Sequence, residues 1–182
     1  MTWNAFHNRG EVLRNAINAA NTRQDGVLPM DLPGVPDHFR DELDLLSALM
    51  LKWHARLSGQ VERELMQQPL DLEHAVACAW RRTSNEMPGV RLIIDNYTAN
   101  PSDHTMSEAM HRAQEREWWK LAAAAGASND ESHAAARAGA RVEAVARTLT
   151  DVTHIPEDEL AAIAAAQPQG SFIERIRAVL AA

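Results

Sequence analysis

Between Asp37 and Gln68 the chain runs for about thirty residues with no proline and a single glycine, Gly59. Large apolar residues recur there at Phe39, Leu43, Leu46, Met50, Trp53, Leu57, Val61 and Leu65, in steps of three and four. That is the stripe of an amphipathic helix, about 45 Å long at 1.5 Å per residue. So many large apolar groups stay out of water only if the helix is covered along much of its length. The stretch 37–68 is therefore predicted to be a long central helix on which the rest of the chain is arranged.

The remaining sequence is consistent with that reading. Alanine dominates the apolar content, β-branched and aromatic residues are few, and glycine and proline fall between periodic segments. These preferences point to an all-α protein with no β-sheet, a helical bundle of seven or eight helices. The 182 residues suffice for one domain with a real core, 1–182. A change in character near Gly126–Asn129 marks 127–182 as a semi-independent C-terminal helical segment. Helices before that point carry large residues, and those after it are small, alanine-based and amphipathic.

Local signals predict the helix limits. Thr2 is placed to cap a first helix reaching about Arg23, with Trp3, Phe6, Leu13, Ile17 and Ala20 on its buried face. Gln24–Pro36 reads as a structured loop. Asp71 reads as the N-cap of a helix carrying Val76, Ala79 and Trp80, which Pro88-Gly89 breaks. A short helix follows over about Val90–Thr98. Ser102-Asp103 starts the next, with Met106, Met110, Ala113, Trp118, Leu121 and Ala125 as its core and Gly126 as its C-cap. Ser128 and Glu131 have the spacing of a capping box for a sixth helix, and Ser171 and Glu174 repeat it for the last one. Pro156 fits the first turn of the helix between them.

Charge and cysteine content exclude several classes. Net charge is −7, and residues 1–91 hold 10 basic and 12 acidic side chains against 8 and 13 in residues 92–182. Neither half has the basic footprint of a non-specific nucleic-acid binder, so no nucleic-acid partner is expected. The final helix offers only Arg175 and Arg177 as cations against Glu174, which argues against a DNA-reading helix-turn-helix. Cys78 is the only cysteine, so neither an intramolecular disulfide nor a cysteine-based zinc site can form. The N-terminus, Met1-Thr2-Trp3-Asn4, is polar within a few residues, and no run approaches the ~18 apolar residues of a membrane span. A soluble, cytoplasmic protein without a membrane partner is expected.

Histidine placement is the main chemical signal. Five of the eight histidines have an acid four residues on: His7/Glu11, His38/Glu42, His104/Glu108, His111/Glu115 and His154/Asp158. On a helix this spacing sets both side chains on one face, as an ion pair or as two metal ligands. Glu108-x-x-His111 is also the spacing by which ferritin-like carboxylate bundles present a Glu and a His to one metal, although no second Glu-x-x-His is present here. Hemerythrin-like bundles use His-x-x-x-Glu, but with further histidines in an order this chain does not match. A metal centre would combine Glu108, His111 and Glu115 with His54 or Glu62 from the long helix, holding a divalent iron, manganese or zinc ion. The plainer reading is surface ion pairing, since His38, His104 and His154 lie in or beside first turns where acids gather anyway.

Other residues carry two readings each. His54 follows Trp53 and falls on the flank of the stripe, as a boundary histidine or an acid–base group. Trp118 and Trp119 point about 100° apart on a helix, so one belongs in the core and the other at an interface or pocket wall. Arg81-Arg82, with Arg91 nearby, is the densest basic spot and suits a helix end or an acidic partner. Cys78 reads as a small buried residue.

No phosphate loop, dinucleotide turn, Gly-x-Ser-x-Gly or His-Glu-x-x-His motif occurs. The sequence thus favours a helical protein-interaction or regulatory module without a catalytic centre or cofactor, acting on a protein partner or by self-association as a homodimer. Trp118, Trp119 and the C-terminal amphipathic segments are the expected contact faces. The alternative is the metal-dependent bundle, and a third reading is a small-molecule-binding bundle with a Trp-lined cavity.

Overall fold

The computed structural model describes residues 3–149, with side chains from residue 8 onward. Among the described residues all regular structure is α-helical, in seven helices: α1 (Trp3–Arg23), α2 (Val35–His38), α3 (Glu42–Leu65), α4 (Leu72–Glu86), α5 (Pro88–Ala99), α6 (His104–Ala124) and α7 (His133–Thr148). The expected packing of Trp3 and Phe6, the His7/Glu11 and His154/Asp158 pairs and the helices expected beyond Pro156 lie outside the described residues.

Caps set by local chemistry fall where the sequence places them. Asp71 accepts a hydrogen bond from the His74 backbone N–H at 2.9 Å, and Asp103 does the same for Met106 at 2.7 Å. Pro88 does end the helix before it, but it also opens α5, two residues ahead of the start expected near Val90, because its missing N–H is of no consequence in a first turn. Gly126, at φ 70°, ends α6: its N–H bonds the Ala123 carbonyl and the Ala127 N–H bonds that of Ala122, the Schellman pattern.

Two starts differ from expectation. α3 is the longest described helix, at 24 residues, but begins at Glu42 rather than near Asp37. Phe39 has extended backbone (φ −124°, ψ 126°) and closes the short α2; it is buried as a loop anchor beneath the Arg9 guanidinium, not as a helix position. Asp41 is the true N-cap, accepting from Asp44 at 2.8 Å. At the other site Ser132, not Ser128, caps α7, accepting from Ala135. Ser128 instead bonds Asp130 within the α6–α7 turn, which also receives the Ser132 hydroxyl.

The core gathers Leu45, Leu46, Leu49, Trp53 and Leu57 of α3 with Val76 and Trp80 of α4, Val90 and Ile93 of α5, Met106, Met110 and Leu121 of α6, and Val142 of α7. α3 lies mainly on α4, and α7 lies on both α6 and α4. Residues 133–149 thus pack on the helices before Gly126, and residues 150–182 of the segment 127–182 lie outside the described residues. A second small cluster joins Ala122 to Ala135 and Ala138, with Trp119 beside it.

Small residues allow the closest crossings. A Cβ at Gly139 of α7 would fall 1.9 Å from the Trp118 carbonyl oxygen, and one at Gly89 of α5 would fall 1.8 Å from that of Ala20. Both obstacles are backbone, so a helix would have to move. Gly139→Ala and Gly89→Ala should each lower stability by about 3 kcal/mol. Gly59→Ala, which meets nothing within 4 Å in mid-helix, should raise it by about 0.5–1 kcal/mol. Chemical denaturation followed by circular dichroism reads all three.

Candidate functional site

The α6 stripe runs Met106, Met110, Glu117, Leu121, all buried. A carboxylate therefore occupies a core position, with Glu117 only 6% exposed. Such a group is tolerated only if donors replace its lost water. Four donors do so. Trp53 Nε1 and His54 Nε2 each bond Oε2 at 3.0 Å, while Trp80 Nε1 bonds Oε1 at 3.0 Å and an Arg91 Nη bonds it at 3.4 Å. Trp53 and His54 are consecutive on α3, so one points inward and the other to the flank, yet a single carboxylate oxygen collects both.

The network continues outward. Arg91 donates to Asp95 at 2.7 Å, one turn on. Asp95 receives Arg147 of α7 through both oxygens, at 2.9 and 2.7 Å. Arg147 bonds Glu143 at 2.7 Å, and Glu143 accepts the Trp118 indole N–H at 2.6 Å. Guanidinium stacking reinforces it: Arg91 lies 4.9 Å above the Trp53 ring and Arg147 4.9 Å above that of Trp80, while the two tryptophans meet edge to face at 5.6 Å. The chain of contacts joins α3, α4, α5, α6 and α7.

Burial pushes the Glu117 carboxyl up, but the His54 hydrogen bond, the charges of Arg91 and His54 and the Trp80 indole outweigh it and hold the group down at about 2. Burial likewise raises Asp95, and Arg147 with Arg91 pulls it below the usual carboxylate range.

Above this network α3 and α6 run side by side and touch at few points. The space between them is a groove. One half, a cavity of about 230 Å³, is bordered by Leu57, Val61 and Glu62 of α3 and by Lys120, Leu121 and Ala124 of α6. The other, about 360 Å³, is bordered by Ser47, Met50 and Leu51 and by Ala109, Arg112, Ala113, Arg116 and Lys120. His54 borders both halves, so the His54–Glu117 bridge crosses the groove at its middle. Beneath it a cavity of about 10 Å³ beside Arg91, Gln114 and Glu143 has room for about one water. Arg91 Nε is buried there without a protein partner.

The residues singled out from sequence are spread apart. Glu108 is half exposed and pairs with His104 at 3.1 Å and Arg112 at 3.8 Å; His111 is 71% exposed and pairs with Glu115 at 3.6 Å. His54 and Glu62 border the groove instead, Glu62 as an exposed rim residue. Among the described residues no three His, Cys, Asp or Glu side chains converge as ligands for one ion. His38 bonds the Gly34 carbonyl rather than Glu42. Trp118 and Trp119 are both half-buried, and both donate inside the fold, Trp118 to Glu143 and Trp119 to the Ser132 carbonyl at 3.1 Å. Trp118 packs against the core partly buried, and the fully buried stripe position between Met110 and Leu121 belongs to Glu117. Trp53, Trp80 and Trp118 border neither half of the groove. Of the basic residues Arg81, Arg82 and Arg91, Arg91 is buried against Glu117 and Asp95, and Arg82 pairs with Glu64 at 2.8 Å. Cys78 is half-buried, with its Sγ 3.4 Å from His74 Nε2. No described helix is long and apolar enough to cross a membrane.

Sequence reasoning missed the role of Glu117. The available signal was its position: a carboxylate four residues before Leu121 and seven after Met110, inside an apolar stripe. Comparison with protein-family models, with curated proteins and with solved structures gives no significant match.

Glu117→Gln leaves a buried guanidinium and two indoles facing an amide, and should cost about 3–5 kcal/mol. The carboxyl titrates at 4.5 ordinarily and at about 2 in the fold, so its stabilisation is whole above 4.5 and is lost as pH falls from there towards 2. Thermal unfolding across that window should show a steep decline in the wild type and a shallower one in Glu117→Gln.

Proposed function

We propose that the chain is a helical protein-interaction module without a catalytic centre, and that it takes its protein partner in the groove between α3 and α6. The observation that carries this reading is the groove itself: apolar walls on a polar floor that is fixed from below. Leu51, 69% exposed, and Met50 beside it add apolar surface to its rim. Ligand grooves between helices commonly combine apolar walls with a few positioned polar groups. The Glu117 carboxylate has donors on both oxygens, which suits a positioning role rather than proton transfer.

The groove replaces Trp118 and Trp119 as the centre of the contact face, because those side chains are engaged within the fold. Trp119 keeps a rim role, bordering a cleft of about 290 Å³ that shares Arg116 and Lys120 with the groove.

Site-specific photocrosslinking in cells tests the reading. A benzophenone side chain at Leu51 or Ser58 should give an adduct of one defined mass. The same group at exposed Arg14 or Arg137, away from the groove, should give none. Equal adducts from all four positions, or none from any, would count against it. An adduct of twice the chain mass would identify self-association.

A further inference from the structure

Resting on the groove reading, we propose that its occupant is an amphipathic α-helix of another protein that carries acidic residues along one flank. Length and charge both lead there. The α3 wall extends from Ser47 to Glu62 and the α6 wall from Ala109 to Ala124, each about 22 Å at 1.5 Å per residue. A single helix of about four turns fills that span, and apolar anchors at i, i+4, i+7 and i+11 reach a groove of this kind. The walls supply their counterparts: Leu51 and Met50 in one half, Leu57 and Val61 in the other.

The charge is one-sided. Arg112, Arg116 and Lys120 lie at i, i+4 and i+8 of α6, all exposed, all on the groove rim. Among the described residues the groove rim itself carries one acid, Glu62, at the far end of the α3 wall, while Asp130 and Glu131 border the adjoining cleft on the other side of Arg116 and Lys120. Arg112 has Glu108 at 3.8 Å; among the described residues no ion pair involves Arg116 or Lys120. The chain as a whole is acidic, at −7, so a cationic ridge of this kind is a local departure from its surroundings. Three cations one helical turn apart match carboxylates of the same period on a helix laid alongside. A basic helix would meet like charge at every turn, and an uncharged one would leave the ridge without partners.

Two fluorescent helical peptides of about 16 residues, with the same apolar face and either Glu or Lys along one flank, distinguish the possibilities. Binding to the full chain is read by anisotropy and located by amide NMR shifts. The Glu peptide should bind about tenfold tighter than the Lys peptide, weaken as salt rises from about 50 to 500 mM, and shift residues along α3 and α6. The triple exchange R112E, R116E, K120E, confined to exposed side chains, should invert the preference, and Leu51→Glu should weaken both peptides while the fold is kept. Equal binding of the two peptides in the groove would overturn the acidic partner and leave the interaction reading standing. Binding of neither, or shifts confined to another face, would overturn both. A concentration-dependent dimer abolished by Leu51→Glu would give the groove to a second copy and overturn the separate partner.

Discussion

The structure depends on one buried charge, the Glu117 carboxylate. Apolar burial supplies most of the drive to collapse, but it is non-directional and does not fix how helices rotate against one another. Hydrogen bonds do, because each donor must reach an acceptor at about 3 Å and near its lone pairs. Two indoles, an imidazole and a guanidinium from three different helices meet that condition at one carboxylate on a fourth. The indoles can only donate, and the ionised carboxylate can only accept, so the pairing has no alternative polarity.

The cost of burying charge is spread along the same chain of contacts. Glu117, Asp95 and Glu143 face Arg91 and Arg147, three carboxylates against two guanidiniums, and His54 adds a hydrogen bond to Glu117. Each guanidinium also lies over an indole face, where it keeps a favourable partner without water. The same bonds hold α3 and α6 at a fixed spacing across the groove. The polar core and the proposed contact face are therefore one construction: the bridge that organises the bundle from inside is the floor of the groove outside.

Features governed by neighbouring residues were readable from the sequence. Asp71, Asp103, Pro88 and Gly126 act within one turn of where they stand, and the structure places them as helix limits. Periodicity failed where the backbone left the helix without losing its apolar register. Phe39 keeps the stripe's spacing but sits in extended chain, because Asp41 caps the helix three residues later than a periodic count allows. Ser128 failed for a related reason: the turn after Gly126 needs several residues to reverse direction, and Ser132 is the first serine placed to cap α7. The network was not readable in the same way. His54 and Glu117 are 63 residues apart, whereas the acids four residues after His104 and His111 form pairs on the surface. A single acid within an apolar stripe held the information.

The ionised state of Glu117 is the claim on which the rest stands, and carboxyl-carbon NMR of the protein measures it directly. The Glu117 resonance should stay at its ionised position as pH is lowered through 4.5 and move only near 2, with the Trp53 and Trp80 indole N–H protons slow to exchange while the carboxylate stays ionised. A Glu117 carboxyl that titrates near 4.5, with both indole protons exchanging freely, would contradict the account.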